Sequence, residues 1–265
     1  MKQAKIVIIG TVAIAVFSAI AVFAVPIPYS WDDSAVLFYS LLSMSAALAM
    51  LHIGAVVLFS MSLSAYKLQM RRAYIFICLS ITLLALGTAQ LPVISALNLW
   101  PSAWVTEGGI GLPFVLAGAT AYFGVRSLAV LVGMKNWLTR IWIAIPMITL
   151  LCALTAFLPH VQSNTPEASY DIAVAILTWS ALAYLVAVTM LVRVRQQIGA
   201  HYTEAMAWLL LGFMASSTAM SLAAMSTLFS NKNQDGWSVA INCVGVISGC
   251  IFLRAAQVFM KAKEY

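Results

Sequence analysis

Charge is what this sequence has least of. Only 8% of its 265 residues are Asp, Glu, Lys or Arg, against roughly 25% in soluble proteins. Eight acids and fourteen bases cannot clothe a soluble surface of this size. That excludes a soluble enzyme, a disordered chain and a collagen-like fibre. No Lys, Asp or Glu lies in the middle of an apolar run. A retinal-type Schiff base, a proton pump, a proton-coupled carrier and a carboxylate-dependent protease are thereby disfavoured, because such machines need ionisable groups at membrane depth. Cysteine is scarce too: Cys78, Cys152, Cys243 and Cys250 all fall in apolar runs and none forms a C-x-x-C pair, so neither a dithiol redox motif nor a zinc site is indicated. There is no Walker loop, dinucleotide fingerprint, H-E-x-x-H or G-x-S-x-G, and no internal repeat of the kind that builds inverted-repeat transporters.

What is there is hydrocarbon. Apolar and aromatic residues make up 63% of the chain, and the mean hydropathy is +0.98. Crossing about 30 Å of lipid takes about 20 apolar residues in a helix but only about 10 in a barrel strand. Eight stretches reach helical length, at about 5–25, 35–64, 73–97, 110–133, 138–159, 170–192, 203–228 and 238–260. Short connectors separate them, among them PIPYSWDD, NLWPSAWVTEGG and HVQSNTPEAS. The first stretch follows Lys2 and Lys5 but is longer than a signal-peptide core and lacks a small-x-small cleavage site, so it reads as a retained helix. The expected fold is all-α, a single polytopic bundle of about eight spans over 1–265.

Basic residues give the orientation. With both termini cytoplasmic, thirteen of the fourteen bases gather at the inner face and only Lys232 lies outside. This is the positive-inside pattern, and it points to a bacterial inner membrane. The net charge of +6 therefore speaks of topology and of anionic lipid at the basic rim, with no nucleic-acid partner implied. Trp31, Trp100, Trp104 and Trp237 fall at the outer boundary and Trp137 and Trp142 at the inner one, as interfacial aromatics do.

Two places could hold chemistry. His52 is the one ionisable side chain deep in a span. It reads either as a structural residue hydrogen-bonded within the bundle or as a contact for haem, quinone or a magnesium pigment. His160 and His201 lie at opposite faces, so a bis-histidine haem has no second ligand. The other place is the outer ends of the third and fourth helices. Pro92, Pro101 and Pro113 accompany Gln90, Asn98, Gly108, Gly109 and Gly111 there. These residues either mark helix ends or break the helices to shape an outer cavity between the third, fourth and fifth helices. In the second case Gln90, Asn98, Trp100, Trp104 and Glu107 would line a ligand site. Small residues in the second and seventh helices, such as Ser43, Ser45, Ser216 and Ser217, read as close-packing faces or as a polar path.

The segment Phe114 to Arg126, an apolar helix ending Tyr122-Phe123-Gly124-Val125-Arg126, together with Leu86-Gly87 and Leu91-Pro92, resembles the multi-helix membrane sensor regions at the N-termini of bacterial diguanylate cyclases and histidine kinases. The likeness covers Arg71 to Arg195, about half the chain. It implies a sensing bundle. No output domain follows before Tyr265, so the resemblance implies a free-standing sensor module or a subunit signalling through a membrane or cytoplasmic partner at its basic loops. The expectation is a non-enzymatic ligand-sensing module or complex subunit. The alternatives are an electron-transfer or pigment subunit using His52 and a small-solute permease.

Overall fold

The computed structural model describes residues 34–63, 68–96, 103–134, 144, 166–198, 200–228 and 234–262. They form six long helices: α1 (Ser34–Ser62), α2 (Leu68–Ala96), α3 (Ala103–Leu131), α4 (Pro166–Gln197), α5 (Ala200–Leu228) and α6 (Gln234–Ala262). Each contains an apolar stretch long enough to cross a membrane, from Ser43–Met61 in α1 to Trp237–Lys261 in α6. The protein is a multi-pass membrane protein. Six of the eight expected spans coincide with these helices; the spans expected at 5–25 and 138–159 lie outside the described residues, Ala144 apart.

The helices run past the apolar stretches that predict them. Five have 29 residues and α4 has 32, so at 1.5 Å per residue they are about 43 Å or longer, enough to reach both headgroup layers. The largest departure is in α3. The sequence reads NLWPSAWVTEGG as connector, yet the helix already begins at Ala103. An unpaired backbone group near hydrocarbon is so costly that coiling continues through glycines a soluble helix would shed. Pro92 and Pro113 also sit inside helices, so neither α2 nor α3 is interrupted there. The carbonyl that Pro113 leaves without its helical donor belongs to Gly109.

The six helices close into a ring in chain order. Each packs on its two neighbours, α6 returns to α1, and among the described residues no pair packs across the ring. Facing residues give the directions. On α2 and α3, Gly87 meets Phe114 and Gly124 meets Ile77, so these helices are antiparallel. The pairs α4–α5 (Ala181 with Ser217, Tyr184 with Phe213) and α5–α6 (Ser216 with Ser248) are antiparallel as well. Two seams are different. Gly111 faces Ile176 and Gly118 faces Ala183 with numbers rising together, so α3 and α4 run parallel. Leu48 faces Gly245, Leu51 faces Gly249 and Gly54 faces Leu253, so α6 and α1 are parallel too. The ring is thus one up–down–up path traced twice, α1–α3 and then α4–α6. The chain leaves α3 at one end of the ring and enters α4 at the other.

Glycine sets the closest approaches. A Cβ on Gly118 would lie 3.1 Å from Ala183 Cβ, and one on Gly124 would lie 3.0 Å from the Ala73 carbonyl oxygen. In lipid, where apolar surface gains nothing by leaving solvent, close backbone contact and interhelical hydrogen bonds supply the adhesion. Hydroxyls add such bonds. Ser80 Oγ donates to Ala117 O at 2.7 Å and lies 3.2 Å from the Tyr184 hydroxyl, joining α2, α3 and α4. Ser217 Oγ donates to Ala181 O at 2.9 Å between α5 and α4.

Charge divides the two ends. Every Lys and Arg on the six helices (Arg71, Arg72, Arg126, Arg193, Arg195, Arg254 and Lys261) belongs to the half that holds the C-termini of α1, α3, α4 and α6. We call it the basic end. Among the described residues, Glu167 and Asp235 lie in the first turns of α4 and α6 and Glu107 and Asp171 in the second turns of α3 and α4, all at the opposite, acidic end, and Glu204 alone is at the basic one. The outward faces are apolar. Met50, Ile53, Val57 and Met61 form an exposed stripe on α1, and Leu112, Leu116 and Phe123 another on α3. Such patches are a liability in water and the rule in lipid.

Candidate functional site: a cavity inside the ring

The interior is filled unevenly. Toward the basic end, Phe59 packs on Phe259 at 5.3 Å between ring centroids, and Tyr74 packs edge-on against Phe259 at 5.0 Å. At mid-depth, Phe213 contacts Tyr184 and Phe252, each at 5.6 Å. All of these rings are essentially inaccessible. Above this plug, toward the acidic end, the ring is hollow. A cavity of about 250 Å³ is lined from all six helices: Ser45, Leu48 and His52 from α1, Leu84, Gly87 and Thr88 from α2, Phe114 from α3, Leu177 from α4, Ser216, Ala219, Met220 and Ala223 from α5, and Ile241, Asn242, Gly245 and Ser248 from α6. That is room for about eight waters at roughly 30 Å³ each. No Asp, Glu, Lys or Arg is in this lining.

The walls differ in chemistry. The side made by α2, α3 and α4 presents Leu84, Phe114 and Leu177, with Thr88 as its one hydroxyl. The side made by α1, α5 and α6 carries hydroxyls, an amide and an imidazole. Nearly all of those polar groups are engaged. Ser45 Oγ donates to Asn242 Oδ1 at 3.0 Å, and Asn242 Nδ2 donates to Ser238 O at 2.9 Å. Ser216 Oγ and Ser248 Oγ lie 2.9 Å apart and both reach Gly212 O, at 3.0 and 3.4 Å, so one hydroxyl donates to the carbonyl and the other to its neighbour. Thr88 Oγ1 donates to Leu84 O at 3.0 Å.

His52 is the exception. It is 2% exposed, at the boundary between plug and cavity, with Phe252 5.8 Å away between centroids. Its Nδ1 lies 2.8 Å from the Leu48 carbonyl oxygen one helical turn back. A carbonyl only accepts, so Nδ1 carries the hydrogen. Nε2 is buried and has no hydrogen-bond partner among the described residues. No carboxylate lines the cavity to balance an imidazolium, so the ring is neutral and Nε2 presents a bare lone pair. Buried polar groups without partners are rare, and each needs a reason.

The residues expected at the outer site are placed as follows. Gln90 lies near the acidic end of α2, partly buried, and its Oε1 has no partner among the described residues. Trp104 lies in the first turn of α3 and Glu107 in the second, and Asn98 and Trp100 fall outside the described residues. Gln90 is not among the residues that line the cavity. Among the cavity residues that the sequence leaves unmarked are Leu84, Leu177 and Asn242. Only Gly245-x-x-x-Gly249, which faces Leu48 and Leu51 on the parallel seam, has a sequence signature that could have located this wall. A second concavity of about 230 Å³ opens on the outside of the ring between α4 and α5, around Thr178, Leu185, Ser217 and Met225. Its Ser217 hydroxyl is already bound to Ala181. No group of three or more His, Cys, Asp or Glu suited to a metal ion occurs among the described residues.

The fold and site define a class: a multi-pass helical membrane protein whose helices ring an internal, uncharged cavity. Comparison with family models, curated proteins and solved structures finds no match to this chain.

Proposed function

We propose that this protein is a non-enzymatic membrane module that binds a small ligand inside its helical ring and reports occupancy to a partner at its basic end. The observation that carries the reading is the cavity itself: an uncharged space between the six helices with one buried group unpaired among the described residues. A ligand filling it touches all six helices, so its binding can bias how they pack. Such bias requires different affinities for the two packings. The likeness of residues 71–195 to bacterial sensor regions favours the same reading. The aromatic plug opposes a permeation path through the ring.

The topology we propose has eight spans, both termini cytoplasmic, and the basic end facing the cytoplasm of a bacterial inner membrane. The parallel α3–α4 seam supports it. The chain must return from the basic to the acidic end between Leu131 and Pro166, and 138–159 is the apolar stretch able to do so. The clustering of helix-borne bases at one end supports the inward orientation. Anionic lipid and a protein partner are then expected at Arg71, Arg72, Arg193 and Lys261. Cysteines placed at Leu131 and Glu167 should be labelled from opposite sides of intact membranes; labelling from the same side would remove the extra crossing. The binding reading is tested by mild-detergent purification, which should bring down a small molecule absent from a cavity-filled Ala219→Phe preparation.

A second reading has one observation in its favour. An imidazole whose Nδ1–H is held by a backbone carbonyl has the orientation of a metal-ligating histidine. In that reading His52 holds haem or a magnesium pigment. A visible absorption band in the purified protein, lost in His52→Ala, would establish it, and a colourless preparation would end it.

A further inference from the structure

The hydrogen-bond pattern of the cavity restricts what can occupy it. Donors are nearly exhausted: Ser45 and Thr88 give their hydrogens to fixed acceptors, Ser216 and Ser248 spend theirs on Gly212 O and on each other, and only the second amide hydrogen of Asn242 remains. A ligand offering only carbonyl oxygens, such as a quinone or ketone, would bury them largely unpaired. A charged ligand would find no counter-charge in the lining. A ligand that donates a hydrogen bond finds His52 Nε2, whose lone pair is buried, unpaired and fixed in place by the 2.8 Å bond from Nδ1 to Leu48.

Resting on the proposal that the cavity is a ligand site, we infer that its ligand is an uncharged, mainly apolar molecule bearing a hydroxyl, of the alcohol, phenol or quinol type, which donates to His52 Nε2 and lays its apolar body against Leu84, Phe114 and Leu177. The two walls fit such a molecule end to end, since the imidazole stands on α1 and the apolar side chains come from α2, α3 and α4. Discrimination follows from the same geometry. A site with a buried hydrogen-bonding group rejects the analogue that leaves it unpaired.

Phenol and toluene are the probes, being alike in shape and differing in the hydroxyl. The full chain in phosphatidylcholine nanodiscs, labelled with ¹⁵N in its histidine rings, is titrated with each. The Nε2 resonance of His52, assigned by its loss in His52→Phe, should shift saturably with phenol and not with toluene. Phenol should bind about 10-fold more tightly, the order expected for satisfying one buried acceptor. In His52→Phe the two affinities should become equal, with toluene affinity retained. Should toluene bind as tightly as phenol while Nε2 stays unmoved, the cavity would stand as a ligand site and the hydroxyl inference would fall. Should neither probe bind, both readings would fall. If His52→Phe does not fold, the ¹⁵N shift and the affinity ratio in the unaltered protein still decide the matter.

Discussion

Toward the basic end of the ring, Phe59, Tyr74 and Phe259 stack in the centre with no accessible surface; toward the acidic end the same six helices, at the same spacing in the chain, surround about 250 Å³ of open space. The difference lies in which side chains point inward. Large aromatics from α1, α2 and α6 meet at one level, whereas Ser45, Gly87, Ala219, Ala223 and Gly245 meet at the other. A ring of six helices is too wide for small side chains to fill. It closes only where rings of Phe or Tyr reach the middle. The closed half therefore holds the helices together, and the open half is free to take a ligand.

That contrast can be broken by mutation, and the largest effect belongs to the plug. Phe259→Ala should cost about 3–5 kcal/mol, read as a lower unfolding midpoint in detergent, because the void at the contact of three rings cannot collapse. Overpacking the closed half comes next: Ala187→Leu, at a site with no accessible surface, should cost about 1–3 kcal/mol, while Ala219→Leu at the cavity should change stability by less than about 1 kcal/mol and weaken phenol binding. Equal costs at the two sites would mean the cavity is not open in the membrane.

Glycine substitutions sharpen the comparison further. Gly124→Ala drives a methyl to 3.0 Å from the Ala73 carbonyl oxygen, which is backbone and cannot yield, so a loss of about 1–3 kcal/mol is expected. Gly87→Ala meets Phe114 Cζ at 2.7 Å, but Phe114 borders open space and can swing into it. Its cost should stay below about 1 kcal/mol, with a smaller cavity and weaker probe binding as the signature. The smallest change is expected at the polar wall: Ser45→Ala removes the bond to Asn242 and should cost about 0.6 kcal/mol by thermal unfolding.

How much of this was legible in the chain differs from feature to feature. Apolar stretches of 20 or more residues locate α1 to α6 because hydrocarbon allows no other spanning backbone here. Their ends are harder to read: Ala103 to Gly109 looks like a connector by composition, yet lipid headgroups accept polar side chains on a helix that keeps its own hydrogen bonds. His52 stands out in the sequence because ionisable groups are scarce at depth. Its unpaired Nε2 does not, since that depends on Leu48 taking Nδ1 and on every neighbouring hydroxyl finding another acceptor. Gln90, Asn98, Trp100, Trp104 and Glu107 draw attention by residue type near prolines, but type alone says nothing of which helix stands opposite.

The amino-acid order by itself determined that this is a helical membrane protein, where six of its helices run, and which ends of α2, α3, α4 and α6 carry the bases. Those follow from the free energy of placing individual side chains in lipid, water or the layer between, and that energy depends on the residue and its neighbours in the chain. The ring closure, the two parallel seams, the aromatic plug and the cavity beside His52 were decided only by the tertiary structure. They depend on which bulky side chain meets which glycine across a helix pair, a matching of shapes between residues as far apart as Leu48 and Gly245.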